Sequence, residues 1–146
     1  MRVLGVDYGR RRVGLAVSDD GAVLARPLET LQRTHSLDRD LRTIARQAND
    51  LGVAEIVVGL PLNMDGSKGE MALEAEAFAQ RLHEASGLPV HVWDERLTSS
   101  EAERVLIEGD VKRRDRKRLR DKLAATLILQ GFLDGRSRME EWPSTR

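Results

Sequence analysis

The chain has no cysteine, only five aromatic residues among 146, four prolines and no net charge. Each scarcity excludes something. Without thiols there can be no disulfide, zinc–thiolate site or iron–sulfur cluster, so any metal must be held by oxygen or imidazole ligands. So few aromatics leave little material for stacking on bases. No apolar run is long enough to cross a bilayer as a helix. Met1 leads straight into Val3-Leu4-Gly5-Val6, with none of the regions of a secretory leader. These features together suggest the cytoplasm.

What is present is a soluble composition, 40% hydrophobic and 33% charged, in a length that suits one domain with a real core. The zero balance of charge conceals an uneven distribution. Lys112 to Lys122 reads KRRDRKRLRDK, eight basic residues and two acidic, which leaves sixteen basic against twenty-two acidic elsewhere. Clustered Lys and Arg are the electrostatic footprint of phosphate binding, although a run like this is also compatible with a solvated helix face.

Hydrophobic periodicity orders the chain as βββ-α-β-α-β-α-α. Residues 1–7 and 13–18 read as strands joined by Tyr8-Gly9-Arg10-Arg11-Arg12. Asp19-Asp20-Gly21 is a turn before a third strand expected over Ala22–Leu28. From Leu37 the spacing of Leu41, Ile44, Ala45, Ala48 and Leu51 predicts a helix, with Ser36 as its cap, Asp38 and Asp40 in its first turn and Gly52 at its end. Glu55–Gly59 has the β-branched character of a buried strand reached by a crossover. A second helix presents Met71, Ala75, Phe78, Ala79 and Leu82 on one face and stops near Gly87. Pro89–Trp93 forms the fifth strand. Thr98-Ser99-Ser100-Glu101 is a capping box for a short helix ending at Gly109, and a last helix is expected from about Arg118 to Leu133. The expected architecture is therefore a five-stranded mixed α/β sheet: three antiparallel N-terminal strands, two parallel strands added by crossovers, and helices on both faces. Residues 1–136 make one domain and residues 137–146 a flexible tail.

Three acids from distant parts of the chain stand out. Asp7 ends an apolar strand next to Gly9; taken alone it also suits a turn residue bonded to amides or to Arg10–Arg12. Asp94 and Glu95 leave the fifth strand at its carboxyl end, where α/β sheets bind ligands. Alternation sends the two to opposite sides, one inward and the other to solvent, a helix terminus or an arginine such as Arg96. Asp121 shares a helix face with Ala124, Ala125, Ile128 and Phe132, so it needs a partner, either Lys117 or a metal. The acids converge if the first strand is central. Carboxylates favour Mg²⁺ or Mn²⁺, and two such ions roughly 3.5–4 Å apart catalyse in-line phosphodiester displacement. Acids holding metal and basic residues holding phosphate would reconcile a neutral chain with a nucleic-acid substrate.

Other features carry less. His35, His83 and His91 have no ligand spacing and are assigned no role. Asp65-Gly66-Ser67-Lys68-Gly69 precedes a helix and offers Lys68 as a phosphate contact, without the spacing of a Walker loop. Tyr8, beside Asp7, is the aromatic best placed to stack on a base, whereas Trp93 suits the core.

Four blocks, in order along nearly the whole chain, carry a family resemblance. They are Gly5-Val6-Asp7-Tyr8-Gly9 with Gly14–Ser18, Val58-Gly59-Leu60-Pro61 with Asn63-Met64-Asp65-Gly66, Asp94-Glu95-Arg96-Leu97-Thr98, and Asp121–Ala125 with Ile128-Leu129-Gln130. Together they resemble the YqgF family, described as pre-16S ribosomal RNA nucleases and as Holliday junction resolvases of ribonuclease H-like fold related to RuvC. Arg120 departs from the family pattern, which has an apolar residue there. The resemblance implies that Asp7, Glu95 and Asp121 are catalytic and bind Mg²⁺ or Mn²⁺, and it favours Glu95 over Asp94. Nucleic-acid contacts are then expected from Tyr8, Arg10, Lys68, Arg96, Lys112, Arg113, Arg114, Arg116, Lys117 and Arg118. The implied substrate is an RNA precursor, or single-stranded or branched DNA, taken by a monomer or a homodimer. An Asp-x-Gly between strands also resembles sugar kinases and actin-like ATPases, but those need a second such domain. A non-catalytic binding module of the same fold is the third reading.

Overall fold

The computed structural model describes residues 1–97 and 123–141. The short helix expected from Thr98 to Gly109, the basic run and Asp121 lie outside the described residues. One sheet organises the rest, with strands β1 (Arg2–Asp7), β2 (Arg12–Ser18), β3 (Ala25–Gln32), β4 (Val53–Leu60) and β5 (Val90–Asp94) in the spatial order β3-β2-β1-β4-β5. β1 is central, as convergence of the acids requires. It pairs antiparallel with β2 through Asp7↔Gly14 and parallel with β4 through Val6↔Val58, while β5 runs parallel to β4 up to Leu60↔Asp94. The carboxyl ends of β1, β4 and β5 therefore open on one edge of the sheet.

Helices α1 (Leu37–Asp50) and α2 (Glu70–Ser86) cover one face, and α3 (Ala124–Glu141) covers the other. Ser36 caps α1 by accepting from the Arg39 amide at 3.2 Å. The helix buries Leu41, Ile44 and Ala48 against Leu4, Val6, Val13 and Leu15 from the sheet. α2 adds Phe78, Ala79 and Leu82 to the same cluster and ends at Gly87 in the left-handed conformation. Across the sheet, Val3, Ala16 and Val57 meet Ala125, Leu129, Phe132 and Leu133 of α3. Strand alternation thus sorts β1 into two sets: Leu4, Val6 and Tyr8 face α1 and α2, while Val3, Gly5 and Asp7 face α3.

Three boundaries differ from the sequence reading. β3 begins three residues later than expected and runs four further, because residues 19–24 are consumed by a wide turn. Asp19 Oδ1 accepts the amides of Val23 and Leu24 at 2.8 and 3.0 Å, and Ala22 takes a positive φ of 55°. Pro27 is tolerated because β3 is an edge strand with a register shift opposite Leu15/Ala16. The final helix continues to Glu141, eight residues past its expected end and five into the segment read as tail. Its last residues, Ser137-Arg138-Met139-Glu140-Glu141, are mostly good helix formers with no breaker among them.

α3 lies unusually near the strands because β1 and β4 have glycines beneath it. A Cβ at Gly5 would stand 2.7 Å from that of Leu129, and one at Gly59 would stand 2.4 Å from Ile128 Cδ1. At Gly5 the obstructing atoms are the root of Leu129 and the Ala125 carbonyl, so a side chain there would push the helix away; at Gly59 they are the ends of the Ile128 and Glu95 side chains, for which the glycine leaves room. The proximity carries the first turn of α3 over the ends of the central strands.

Candidate active site

Asp7 is the last residue of β1 and lies on the α3 face beside Gly14, where a Cβ would sit 3.5 Å from the Asp7 Cβ and 3.5 Å from that of Ala125. Glu95 follows β5 in a single 3₁₀ turn, Glu95–Leu97, which swings its side chain back over the neighbouring strand. Its Oε1 occupies the space above Gly59, 2.5 Å from where a Cβ would be. Because Gly59 follows Val58, the partner of Val6, two carboxylates from distant parts of the sequence meet over adjacent strand ends.

Their meeting has an electrostatic signature. The Glu95 carboxyl is pushed up to about 7, first by burial, then by the negative charge of Asp7, then by that of Asp94. Removing a carboxylate from water beside another one disfavours ionising both. A bound cation reverses that penalty, and an all-oxygen donor pair suits Mg²⁺ or Mn²⁺ rather than a thiophilic metal. Among the described residues, no three acidic or imidazole side chains gather closely enough to hold a metal. Asp7 and Glu95 are two of the three acids expected at the site, and the third, Asp121, is outside that set.

Asp94 serves differently. Its carboxylate accepts from Arg96 Nε at 3.0 and 3.1 Å, from Arg96 Nη2 at 2.7 Å and from the Arg96 amide at 2.9 Å. The arginine holds Asp94 below the usual carboxylate range. Of the two alternatives for these neighbours, then, Glu95 turns inward and Asp94 meets an arginine. Arg96 also donates to the Met64 carbonyl at 3.1 Å, tying the end of β5 to the loop after β4. That loop is closed on itself by Asp65 Oδ1, which accepts from the Ser67 amide at 2.9 Å, and by Asn63 Nδ2, which donates to Ser67 Oγ at 2.9 Å.

The side chains expected to contact nucleic acid are distributed around this edge. Arg10 is paired with Glu74 and Glu70, Lys68 with Glu76 at 2.7 Å, and Arg96 with Asp94. All three are substantially exposed, and exposed pairs of this kind are weak enough to be exchanged for a phosphate. Tyr8 is not turned toward Asp7. It lies on the opposite face, its ring 4.9 Å from that of Phe78 and its hydroxyl donating to Glu74 Oε1 at 3.1 Å. Lys112, Arg113, Arg114, Arg116, Lys117 and Arg118 lie outside the described residues. His83 receives a structural place, with Nδ1 2.7 Å from the Leu88 carbonyl, and His91 stacks on Phe132. Trp93 packs edge-on against Phe132 in the α3-side core.

Some participants escaped the sequence reading. Gly59 is one: the sequence marks it as the end of a strand and as part of a family block, with no role of its own. Gln130 is another: its Oε1 accepts from the Ala25 amide at 2.9 Å and its Nε2 donates to the Val23 carbonyl at 3.0 Å, locking α3 to the start of β3. Asp40, read as a helix-dipole residue, is buried and paired with Arg33.

No helix among the described residues is long and apolar enough to cross a membrane. The sequence profile described as "RuvX: Holliday junction resolvase" matches residues 1–135. A protein of Syntrophomonas wolfei named "Putative pre-16S rRNA nuclease" is 48% identical over 137 residues, covering 94% of this chain and 96% of that one. One of the same name from Symbiobacterium thermophilum is 47% identical over 94% of both. Among solved structures, Thermus thermophilus RuvC in complex with a Holliday junction substrate superposes with a TM-score of 0.66 over 97% of each chain at 15% identity, a likeness of fold. That fold is ribonuclease H-like, and with the matching profile and the level of identity over most of the chain, the chain belongs to the RuvX (YqgF) family.

Proposed function

We propose that this protein is a divalent-metal-dependent nuclease that hydrolyses phosphodiester bonds in 5′-end processing of pre-16S ribosomal RNA. The nuclease assignment follows the family and the names of its relatives. The observation that supports metal dependence is the convergence of Asp7 and Glu95 over the ends of β1 and β4, where burial and the charge of Asp7 drive the Glu95 carboxyl up to about 7.

In this reading Asp7, Glu95 and Asp121 hold Mg²⁺ or Mn²⁺. Asp121 stands two residues ahead of Leu123, whose carbonyl accepts the first described bond of α3 from the Leu127 amide at 2.9 Å. When bound, a pair of such ions supplies an activated water and neutralises charge on the leaving oxygen. The protein itself orients the scissile phosphate. Arg10, Lys68 and Arg96 lie on elements around the site edge, and Lys112, Arg113, Arg114, Arg116, Lys117 and Arg118 add a dense positive segment just before the last acid in the chain's family blocks. These cations attract the backbone without reading sequence. Tyr8 supports the turn after Asp7 rather than stacking on a base. A soluble enzyme of the cytoplasm fits this substrate.

The family description favours a second reading, resolution of four-way DNA junctions. Cleavage of a pre-16S RNA leader and of a four-way junction by the same preparation, with Mg²⁺ and Mn²⁺ titrated, separates the two. We expect metal-dependent cleavage of the RNA, abolished by Asp7→Asn. Cleavage of the junction alone would favour the resolvase. Equal cleavage by Asp7→Asn and the parent would defeat the catalytic assignment.

A further inference from the structure

The β1–β2 ladder ends at Asp7↔Gly14, so the turn that follows Asp7 must be held by something other than strand pairing. Most of the bonds that hold it come from one residue. Arg33, just past the end of β3, donates from Nη1 toward the Tyr8 hydroxyl at 3.1 Å, the Gly9 carbonyl at 3.2 Å and the Arg10 carbonyl at 3.5 Å, and its backbone amide donates to the Arg11 carbonyl at 2.9 Å. Its guanidinium carbon lies 5.3 Å from the centre of the Tyr8 ring. Four consecutive residues of the turn thus converge on Arg33.

Arg33 is itself braced. Its side chain is 17% exposed and its partner Asp40 only 8%, with Nε 3.4 Å from Asp40 Oδ2. The other Asp40 oxygen accepts from the Thr34 amide at 3.0 Å and from the Thr34 hydroxyl at 2.8 Å, so the carboxylate is anchored in the first turn of α1. On the far side, the Tyr8 hydroxyl donates to Glu74 of α2, which also receives Arg10. A partly buried charged pair is a costly way to hold a surface turn, since drawing two charges away from water offsets part of their attraction. Its geometric merit is the planar fork, which reaches several fixed acceptors at once in a way that an ammonium cannot.

We propose that Arg33 is a positioning residue for the reaction. Through the turn at Tyr8–Arg11 it fixes the angle at which Asp7 leaves β1, and Asp40 and Glu74 brace it from α1 and α2. This inference rests on the nuclease reading. It assigns Arg33 no contact with substrate or metal, since it works from the face of the sheet opposite Asp7.

The test compares the parent with Arg33→Lys, Tyr8→Phe and, as a control on the same face, Arg81→Lys, whose exposed pairs with Asp38 and Glu84 lie outside the network. Steady-state cleavage of the RNA leader, Mn²⁺ titration calorimetry without substrate, and melting temperature are read for each. In Arg33→Lys we expect kcat to fall about 10- to 100-fold, the scale of an ångström-level misplacement of a reacting group. KM should stay within about threefold of the parent and Mn²⁺ should bind about tenfold more weakly, effects of the size expected when a ligand loses its support. Tyr8→Phe, which removes only the hydroxyl, should shift kcat and Mn²⁺ affinity in the same direction by less. Arg81→Lys should match the parent. A lowered melting temperature with parental kcat and Mn²⁺ affinity would make Arg33 merely structural and overturn the inference, as would a rise in KM alone, which marks a substrate contact. If Arg33→Lys does not fold, parental behaviour of Tyr8→Phe overturns it. A parent that neither cleaves nor binds Mn²⁺ would defeat the nuclease reading, whereas a cleaving parent matched by Arg33→Lys defeats only the role of Arg33.

Discussion

The Glu95 carboxylate rests on Gly59: its Oε1 stands 2.5 Å from the position a Cβ would take there, and Ile128 of α3 crowds the same point at 2.4 Å. Gly59→Ala must therefore displace both the Glu95 carboxyl and the end of the Ile128 side chain. The expected cost is about 1–3 kcal/mol of stability, typical of overpacking, with cleavage reduced about 100-fold by misplacement of Glu95. At Gly14 the nearest atoms to a new Cβ are 3.5 Å away, an ordinary separation. Melting curves should show Gly14→Ala to be the milder change, and equal destabilisation by the two would refute this account of the glycines.

Proton linkage at Glu95 has a definite sign. Its carboxyl is raised from 4.5 when unfolded to about 7 when folded, so the native state holds this proton more tightly than the unfolded chain. The associated stability is complete below pH 4.5 and is lost as pH rises through 7. Without metal, the parent should lose on the order of 1–3 kcal/mol relative to Glu95→Gln between those limits, a range discounted for partial exposure. Denaturant titrations of both proteins across this range check it; parallel pH profiles would contradict it.

Metal should reverse that loss. Binding displaces the Glu95 proton, so Mg²⁺ affinity should fall by about tenfold per pH unit below 7, and saturating Mg²⁺ should restore the stability of the parent at about pH 8 but not that of Asp7→Asn. Calorimetric titrations about one unit to either side of pH 7 measure the first effect, and affinity independent of pH would remove Glu95 from the ligand set.

Asp94 and Glu95 are adjacent but should fail differently when altered. Asp94→Asn weakens the Arg96 fork and its hold on the Met64 carbonyl, so cleavage should drop roughly 10-fold, in line with removal of a supporting interaction. Glu95→Gln should abolish it. A reversal of that order in single-turnover rates would exchange their roles.

Charge reversal at Arg113, Arg114 and Arg116 should weaken RNA binding at low salt and flatten the dependence of log K on log salt. The change in slope should be about 0.7 for each single-strand phosphate that is no longer neutralised. Binding measured at several salt concentrations reads the slope directly. An unchanged slope would take the basic run out of the substrate path.

Much of this fold was legible along the chain. The period of Leu41, Ile44 and Ala48, the Ser36 cap and the β-branched run ending at Gly59 depend on local geometry, and they placed α1 and β4 with only small shifts at the ends. Boundaries that depend on a turn were less so. The late start of β3 comes from the Asp19 carboxylate capturing two amides, which no periodicity encodes.

The candidate site divided in the same way. Which acids to consider came from the one-dimensional pattern, since a carboxylate closing an apolar strand or sitting on an apolar helix face already requires a reason. Whether Asp94 or Glu95 turned inward depended on the 3₁₀ turn and on Arg96. The face on which Tyr8 lies, opposite Asp7, was not legible from adjacency in sequence, because its neighbours there, Phe78, Glu74 and Arg33, come from other elements.

By itself, then, the sequence determined the order of the described elements and the family, and it nominated a short set of carboxylates, because these follow from periodicity, caps and ordered blocks. Only the tertiary structure decided that β1 is central, that Gly5 lets α3 descend onto the strands, that Glu95 meets Asp7 above Gly59, and that a partly buried Arg33–Asp40 pair braces the turn beyond it. Most of these join residues tens of positions apart, and local propensity carries no information about which distant side chain will occupy the other side of a gap.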